Sequence, residues 1–308
     1  MIQEKMIISN LKTKISRGLI CFMFLLYANA QEQKDKANLQ LLELFNEWRS
    51  FEIPPLNEGV PDYSKNTFDI RFKQYKKLRN KLESFSIDLW PVKDKVDWYL
   101  LWAEMNGYLF NYKILKPWER DPAFYKSIWT YKSDVPAHEG PTPHFTVELW
   151  QYIFPLNKKD RIKLLSSLEL IPKFNKQAKK NLTGNARDLW IAGIRDIEKQ
   201  SKTLEDLNFK PGVSIDKELV IQIKNAKDST DDFVKWLKKE AFKKNGPSGI
   251  GKENYTWYQQ NVHLVPMTWE DEVFLLKREL ARAWSSLKLE EHRNRKLPEL
   301  KPADSPSS

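Results

Sequence analysis

Two histidines and a carboxylate come together once along the 308 residues, in His138-Glu139-Gly140-Pro141-Thr142-Pro143-His144. Imidazole and carboxylate are ordinary zinc ligands, and a Glu beside the metal can serve as a base. A metalloprotease helix sets its two His four residues apart so that one face presents both. Here His144 follows His138 by six, with Gly140, Pro141 and Pro143 between, and an α-helix cannot run through that. Only a loop could converge the two rings. His138, Glu139 and His144 are therefore the candidate metal or substrate ligands, set against an ordered loop packed by its own prolines.

Other motifs carry less. Gly246-Pro247-Ser248-Gly249-Ile250-Gly251-Lys252 has the spacing of a phosphate-cradling loop, but Glu253 stands where a Ser or Thr should hold Mg²⁺. A lysine-rich helical pattern precedes it in place of a buried strand, so a helix-breaking turn with a helix beginning near Lys252 is the better reading. His263 lies in a connector and His292 at a helix end. No G-x-S-x-G is present. The single cysteine, Cys21, falls in the leader, so the remainder has no disulfide, thiolate nucleophile or Cys metal ligand. Paired carboxylates for glycoside hydrolysis leave no local signature. Of the twelve tryptophans, Trp98, Trp102, Trp190 and Trp236 sit on helical stripes. Trp118, Trp129 and Trp150 lie in or beside a long loop and are the candidates for an exposed substrate-binding platform.

The elements that would position these residues are helices. Glycines number only 10, and apolar residues recur at three and four. Leu41, Leu44, Phe45, Trp48 and Phe51 mark a first helix that Pro54-Pro55 stops. Phe68, Phe72, Tyr75, Leu78, Leu82 and Phe85 mark a second. The next carries Val96, Trp98, Leu100, Leu101, Trp102, Met105, Leu109 and Phe110. It is apolar nearly all round, which places it at the centre of the core. Residues 116–143, with five prolines, read as a long loop. Asn157–Leu170 reads as a helix led by Ile162, Leu165 and Leu168, and Pro172 starts another that ends near Leu182. Trp190, Ile194, Ile197 and Leu204 lie on the next. Leu219–Ile223 is branched but suits a helix, and Ser229-Thr230 caps one carrying Phe233, Trp236 and Leu237. The last helix opens at Thr268 with Glu270, Asp271 and Glu272, and His292, Arg293, Arg295 and Lys296 follow its end, both matching the helix dipole. The expected fold is all-α, an irregular assembly of about nine to eleven helices with one Pro-rich loop.

The first thirty residues read as a secretory signal. Lys12, Lys14 and Arg17 precede an apolar run, Gly18–Tyr27, too short for a stable anchor, and Ala28-Asn29-Ala30 is a small-x-small cleavage site. Expected boundaries are 1–30 for the signal peptide, 31–297 for a single helical domain and 298–308 for a polar tail. Export to the periplasm or beyond makes nucleic acid a poor partner. The formal charge of +10 suits an acidic glycan, a peptide or an envelope surface, though a solvated lysine-rich surface explains it as simply.

Several stretches resemble, in order, the bacterial family known as domain of unknown function 885. They are Asp121-Pro122-Ala123-Phe124-Tyr125, Pro155-Leu156, Ile171-Pro172 leading to Asn181-Leu182, and Asp232-Phe233-Val234-Lys235-Trp236-Leu237. Ile250-Gly251-Lys252-Glu253-Asn254-Tyr255 follows, running into Met267-Thr268-Trp269-Glu270-Asp271-Glu272. The resemblance spans roughly residues 35–300. It implies a largely helical, exported protein resembling zinc peptidases, whose metal motif His-Glu-x-x-Pro-Gly-His lies in a further half beyond the matched region. The His138 loop lacks the Pro-Gly pair and comes too early to take over those ligands. The expectation is thus the N-terminal helical region of a hydrolase-like protein, inactive alone, with no cofactor of its own, zinc in a full-length parent and a missing C-terminal half as partner. The alternatives are a secreted binding module for an acidic glycan or peptide, using Trp118, Trp129 and Trp150, and a helical carbohydrate-active enzyme.

Overall fold

A computed structural model describes residues 38–132, 145–298 and 305. The leader, His138, Glu139, His144 and most of the tail lie outside the described residues. Helix α1 covers 38–52. Then come α2 (Lys65–Glu83), α3 (Val92–Phe110), a π-helical turn (Asn111–Leu115), α4 (Pro117–Arg120) and a 3-10 turn (Pro122–Tyr125). The chain continues as α5 (Lys158–Asn181), α6 (Arg187–Leu207), α7 (Lys217–Ala241), α8 (Lys252–Asn261) and α9 (Trp269–Arg293). Among the described residues, sheet is confined to two pairs of two-residue strands, antiparallel β1 (Leu56–Asn57) with β2 (Val60–Pro61) and parallel β3 (Ile128–Trp129) with β4 (Val147–Glu148). The protein is all-α. Among the described residues no helix is long and apolar enough to cross a membrane.

Two helices are longer than the sequence suggests, which brings the count among the described residues to eight of ten residues or more. α5 runs straight through Pro172. Its buried stripe, Leu164, Leu168, Ile171, Phe174 and Ala178, stays in register across the proline. That burial offsets the roughly 3 kcal/mol an interior proline costs. α7 likewise begins at Asp216, whose side chain accepts the Leu219 N–H, and continues through Ser229-Thr230. Thr230 is not a cap: it is buried, and its hydroxyl donates to Ala226 O at 2.8 Å.

Residues up to Gly249 form one compact unit and Ile250 onward a second, a division inside the span expected to be one domain. The first unit has two hydrophobic clusters. In the larger one α7 packs along both α5 and α6, around Leu164, Leu168, Trp190, Ile197, Ile223 and Phe233. The smaller joins α1, α2 and α3 through Leu44, Trp48, Tyr75, Leu82, Trp98 and Met105. α3 is therefore not central. Trp98, Leu101 and Met105 are buried in the smaller cluster, but Val96 and Leu100 are 49% and 54% exposed. Trp48 Nε1 and Arg49 Nη2 each donate to the Glu104 carboxylate, at 3.1 and 2.6 Å, and so tie α1 to α3.

In the second unit, α9 starts with a capping box. Thr268 Oγ1 accepts the Asp271 N–H while the Asp271 carboxylate accepts the Thr268 N–H. Tyr255 of α8 donates to Glu272, Trp269 N–H donates to Thr256, and Lys252 lies over the Trp269 ring at 3.8 Å.

Candidate functional site

The three candidate tryptophans are placed differently. Trp118, on α4, is buried and stacks on Phe68 with ring centroids 3.6 Å apart. It belongs to the core and leaves the proposed platform, because Pro117 starts a helical turn inside what the sequence presents as open loop. Trp129 and Trp150 lie on adjoining segments. β3 and β4 pair in the register Ile128↔Val147 and Trp129↔Glu148, and Trp150 follows in a 3-10 turn.

The pairing sets residues 128–129 beside 147–148, forming a short stem. Lys126 Nζ stands 4.3 Å from the centre of the half-buried Trp129 ring. Trp150 and Tyr131 are exposed, Gln151 donates to Glu148, and Lys163 of α5 lies over Tyr152. The result is a surface of aromatic rings and ammonium groups.

Buried Gln200 of α6 holds this stem from beneath. Its Oε1 accepts the N–H groups of Ser127 at 2.7 Å and Ile128 at 3.0 Å, and Val147 N–H donates to Ser127 O at 2.6 Å. Two donors here, Gln200 Nε2 and the Trp129 indole N–H, have no partner among the described residues. The sequence offers no sign of this, since one Gln on a polar-looking helix face reads as solvated.

Just before the stem, the Asp121 carboxylate caps the 3-10 turn by accepting Ala123 N–H at 2.9 Å. Gly193 lets α6 close on that turn: a Cβ there would stand 2.8 Å from Ala123 N. Tyr125, fully buried, donates to Trp118 O and accepts from Asn181 Nδ2. Asn181 also donates to Tyr63 O, and Gln177 bonds Tyr63 N–H and Pro61 O, fastening α5 to the segment before α2.

Burial pushes the Asp121 carboxyl up to about 6, with a further push from Asp196, against the Ala123 N–H and Arg120. The folded state thus holds its proton more tightly than the unfolded chain. The associated stability is present below about pH 4 and is lost as pH rises through about 6, on the order of 2–3 kcal/mol. Asn can keep the cap without the charge. Asp121→Asn should therefore flatten the fall in stability between about pH 4 and pH 6.5, read from denaturant midpoints; an unchanged pH profile would show that Asp121 is not the group responsible.

The Gly246–Lys252 turn is a clasp. Ser248 Oγ accepts the N–H groups of Asp188 and Leu189 at 2.8 and 3.2 Å and so caps α6 from a remote position. Arg120 donates to Pro247 O and Ser248 O, and Asn185 Oδ1 accepts the N–H groups of Asn245 and Gly246. The Gly246, Pro247 and Ser248 carbonyls and the Ser248 hydroxyl are thereby engaged within the protein. Among the described residues no group of three His, Cys, Asp or Glu is arranged to hold a metal.

No family model matches the chain. No curated protein matches it either. Among solved structures it is similar to one described as "a putative lipoprotein of unknown function from Shewanella oneidensis", at 16% identity and a TM-score of 0.49, covering 88% of this chain and 49% of that one. The chain thus spans about half the length of that protein.

Proposed function

We propose that the chain is the helical framework region of an exported, hydrolase-like protein, supplying structure and surface in place of the metal chemistry. One observation carries this reading: the stretches behind the family resemblance serve packing and capping. Asp121 and Tyr125 fix the 3-10 turn. Ile171, Leu182, Phe233 and Leu237 are core. Asn254 donates to Ile250 O, and Thr268 with Asp271 begins α9. Metal analysis of the purified chain after dialysis should find no stoichiometric zinc. One tightly held zinc per chain would overturn the reading and make His138, Glu139 and His144 the first residues to mutate.

A second reading, a binding surface for an acidic glycan or peptide, is favoured by the stem. Trp129, Trp150 and Tyr131 offer ring faces, Lys126 and Lys163 offer charge, and two buried donors there lack partners among the described residues.

A further inference from the structure

Charge is unevenly spread over the first unit. α5 and α7 run parallel, since Arg161 pairs with Asp216 near their starts and Asn175 bonds Ser229 further on. α6 runs against α7, with Ser201 bonded to Asp231 and Asn185 to Asn245. The end of α5, the start of α6 and the end of α7 therefore meet. The segments 176–188 and 232–244 that meet there hold nine lysines and arginines against three acids, Asp188, Asp232 and Glu240. Two of these acids are already paired, Asp232 with Lys179 and Glu240 with Lys243, and Glu198 of α6 pairs with Lys238 at 2.5 Å. Lys244 is held over the Trp190 ring, 4.2 Å from its centre. Exposed Lys176, Lys180, Lys235 and Lys239 have no carboxylate partner among the described residues. At the other end of the same helices the charges are mixed, Lys158, Lys159 and Arg161 standing with Asp160, Asp216 and Glu218.

An apolar side chain stands in the midst of this positive end. Lys235, Lys238, Lys239 and Phe242 follow the spacing of a single helical face, and all four are exposed. Phe242, at the C-cap of α7, is 94% exposed. A bare phenyl ring among ammonium groups suits the surface of an anionic bilayer. The lysines meet the phosphate headgroups, and the ring enters the boundary with the acyl chains. A soluble polyanion answers the charge alone, whereas a bilayer also takes the ring out of water.

We infer that this end of the first unit docks on an anionic membrane surface, with Lys235 and Lys239 on the headgroups and Phe242 as the inserted ring. This is independent of the hydrolase-like reading. Flotation with phosphatidylethanolamine–phosphatidylglycerol vesicles, at about 0.1 M NaCl, compares the whole chain with its variants, so any contribution of residues 1–30 is common to all. Lys235→Glu with Lys239→Glu should weaken binding about tenfold or more. Phe242→Ala should weaken it about threefold or more. Lys158→Glu with Lys159→Glu makes the same change in net charge at the other end of α5 and should stay within about twofold of wild type. Unchanged thermal melting confirms that the variants fold. A chain that does not bind these vesicles overturns the proposal. So does a loss in the Lys235 and Lys239 variant no greater than in the Lys158 and Lys159 variant, because net charge alone would then explain it. Binding that Phe242→Ala leaves untouched also overturns it. If the same lysine reversals then abolish retention on immobilised heparin, the face belongs to a soluble polyanion.

Discussion

Phe174→Ala should cost the first unit about 3–5 kcal/mol, enough to leave a chain of ordinary stability partly unfolded. Phe174 is 1% exposed and touches three parts of the structure. Its ring lies 5.1 Å from Tyr125 of the 3-10 turn, 5.1 Å from Phe145 before β4 and 6.1 Å from Tyr63 before α2. Alanine leaves a cavity where these meet, and the hydrogen bonds of Gln177 and Asn181 nearby keep the walls from closing in. Chemical denaturation followed by tryptophan fluorescence measures the loss. A change below about 1 kcal/mol would mean that this junction is not packed as described.

Gln200→Leu should cost about 2–5 kcal/mol, by leaving the buried N–H groups of Ser127 and Ile128 without an acceptor. Its effect should reach beyond stability. β3 is placed by those two bonds and by its pairing with β4, so the stem that carries Trp129 and Trp150 should loosen. If the stem binds anionic ligands, retention on immobilised heparin at low salt should fall in Gln200→Leu and in Trp129→Ala together. Trp129 is half-buried, so Trp129→Ala should also lower the unfolding midpoint. Wild-type protein that passes through such a column unretained would count against a binding stem, and an unshifted midpoint for Gln200→Leu would count against the buried bonds.

Much of the architecture could be read along the chain because helix periodicity and capping are local. The α2 stripe, the turn before Lys252 and the Thr268 start of α9 are each encoded within a few residues. The errors arose where distant partners decide. Pro172 and Ser229-Thr230 look like boundaries, but α5 and α7 run through them because the buried stripe on each continues. α3 looks central because it is apolar all round, yet it packs in the smaller cluster and leaves Val96 and Leu100 exposed. Trp118 looks exposed because prolines surround it, although one of them begins its helical turn. The stem was legible only as a pair of tryptophans near a loop. Gln200 lies more than seventy residues from the backbone it holds, and nothing local marks it. His138, Glu139 and His144 lie outside the described residues, so their convergence rests on the sequence alone.

The Ser248 clasp also bears on how the first unit comes into being on the ribosome. The hydroxyl that completes the start of α6 lies 60 residues downstream of the amide it accepts from. Its neighbours Pro247 and Ser248 are also what Arg120 reaches, across 127 and 128 residues. During synthesis, α6 and the Arg120 turn emerge first and wait with unpaired backbone groups until the chain has grown past α7. The unit therefore closes from its far end, and a nascent chain stopped short of Ser248 would hold its core helices without the residue that locks them.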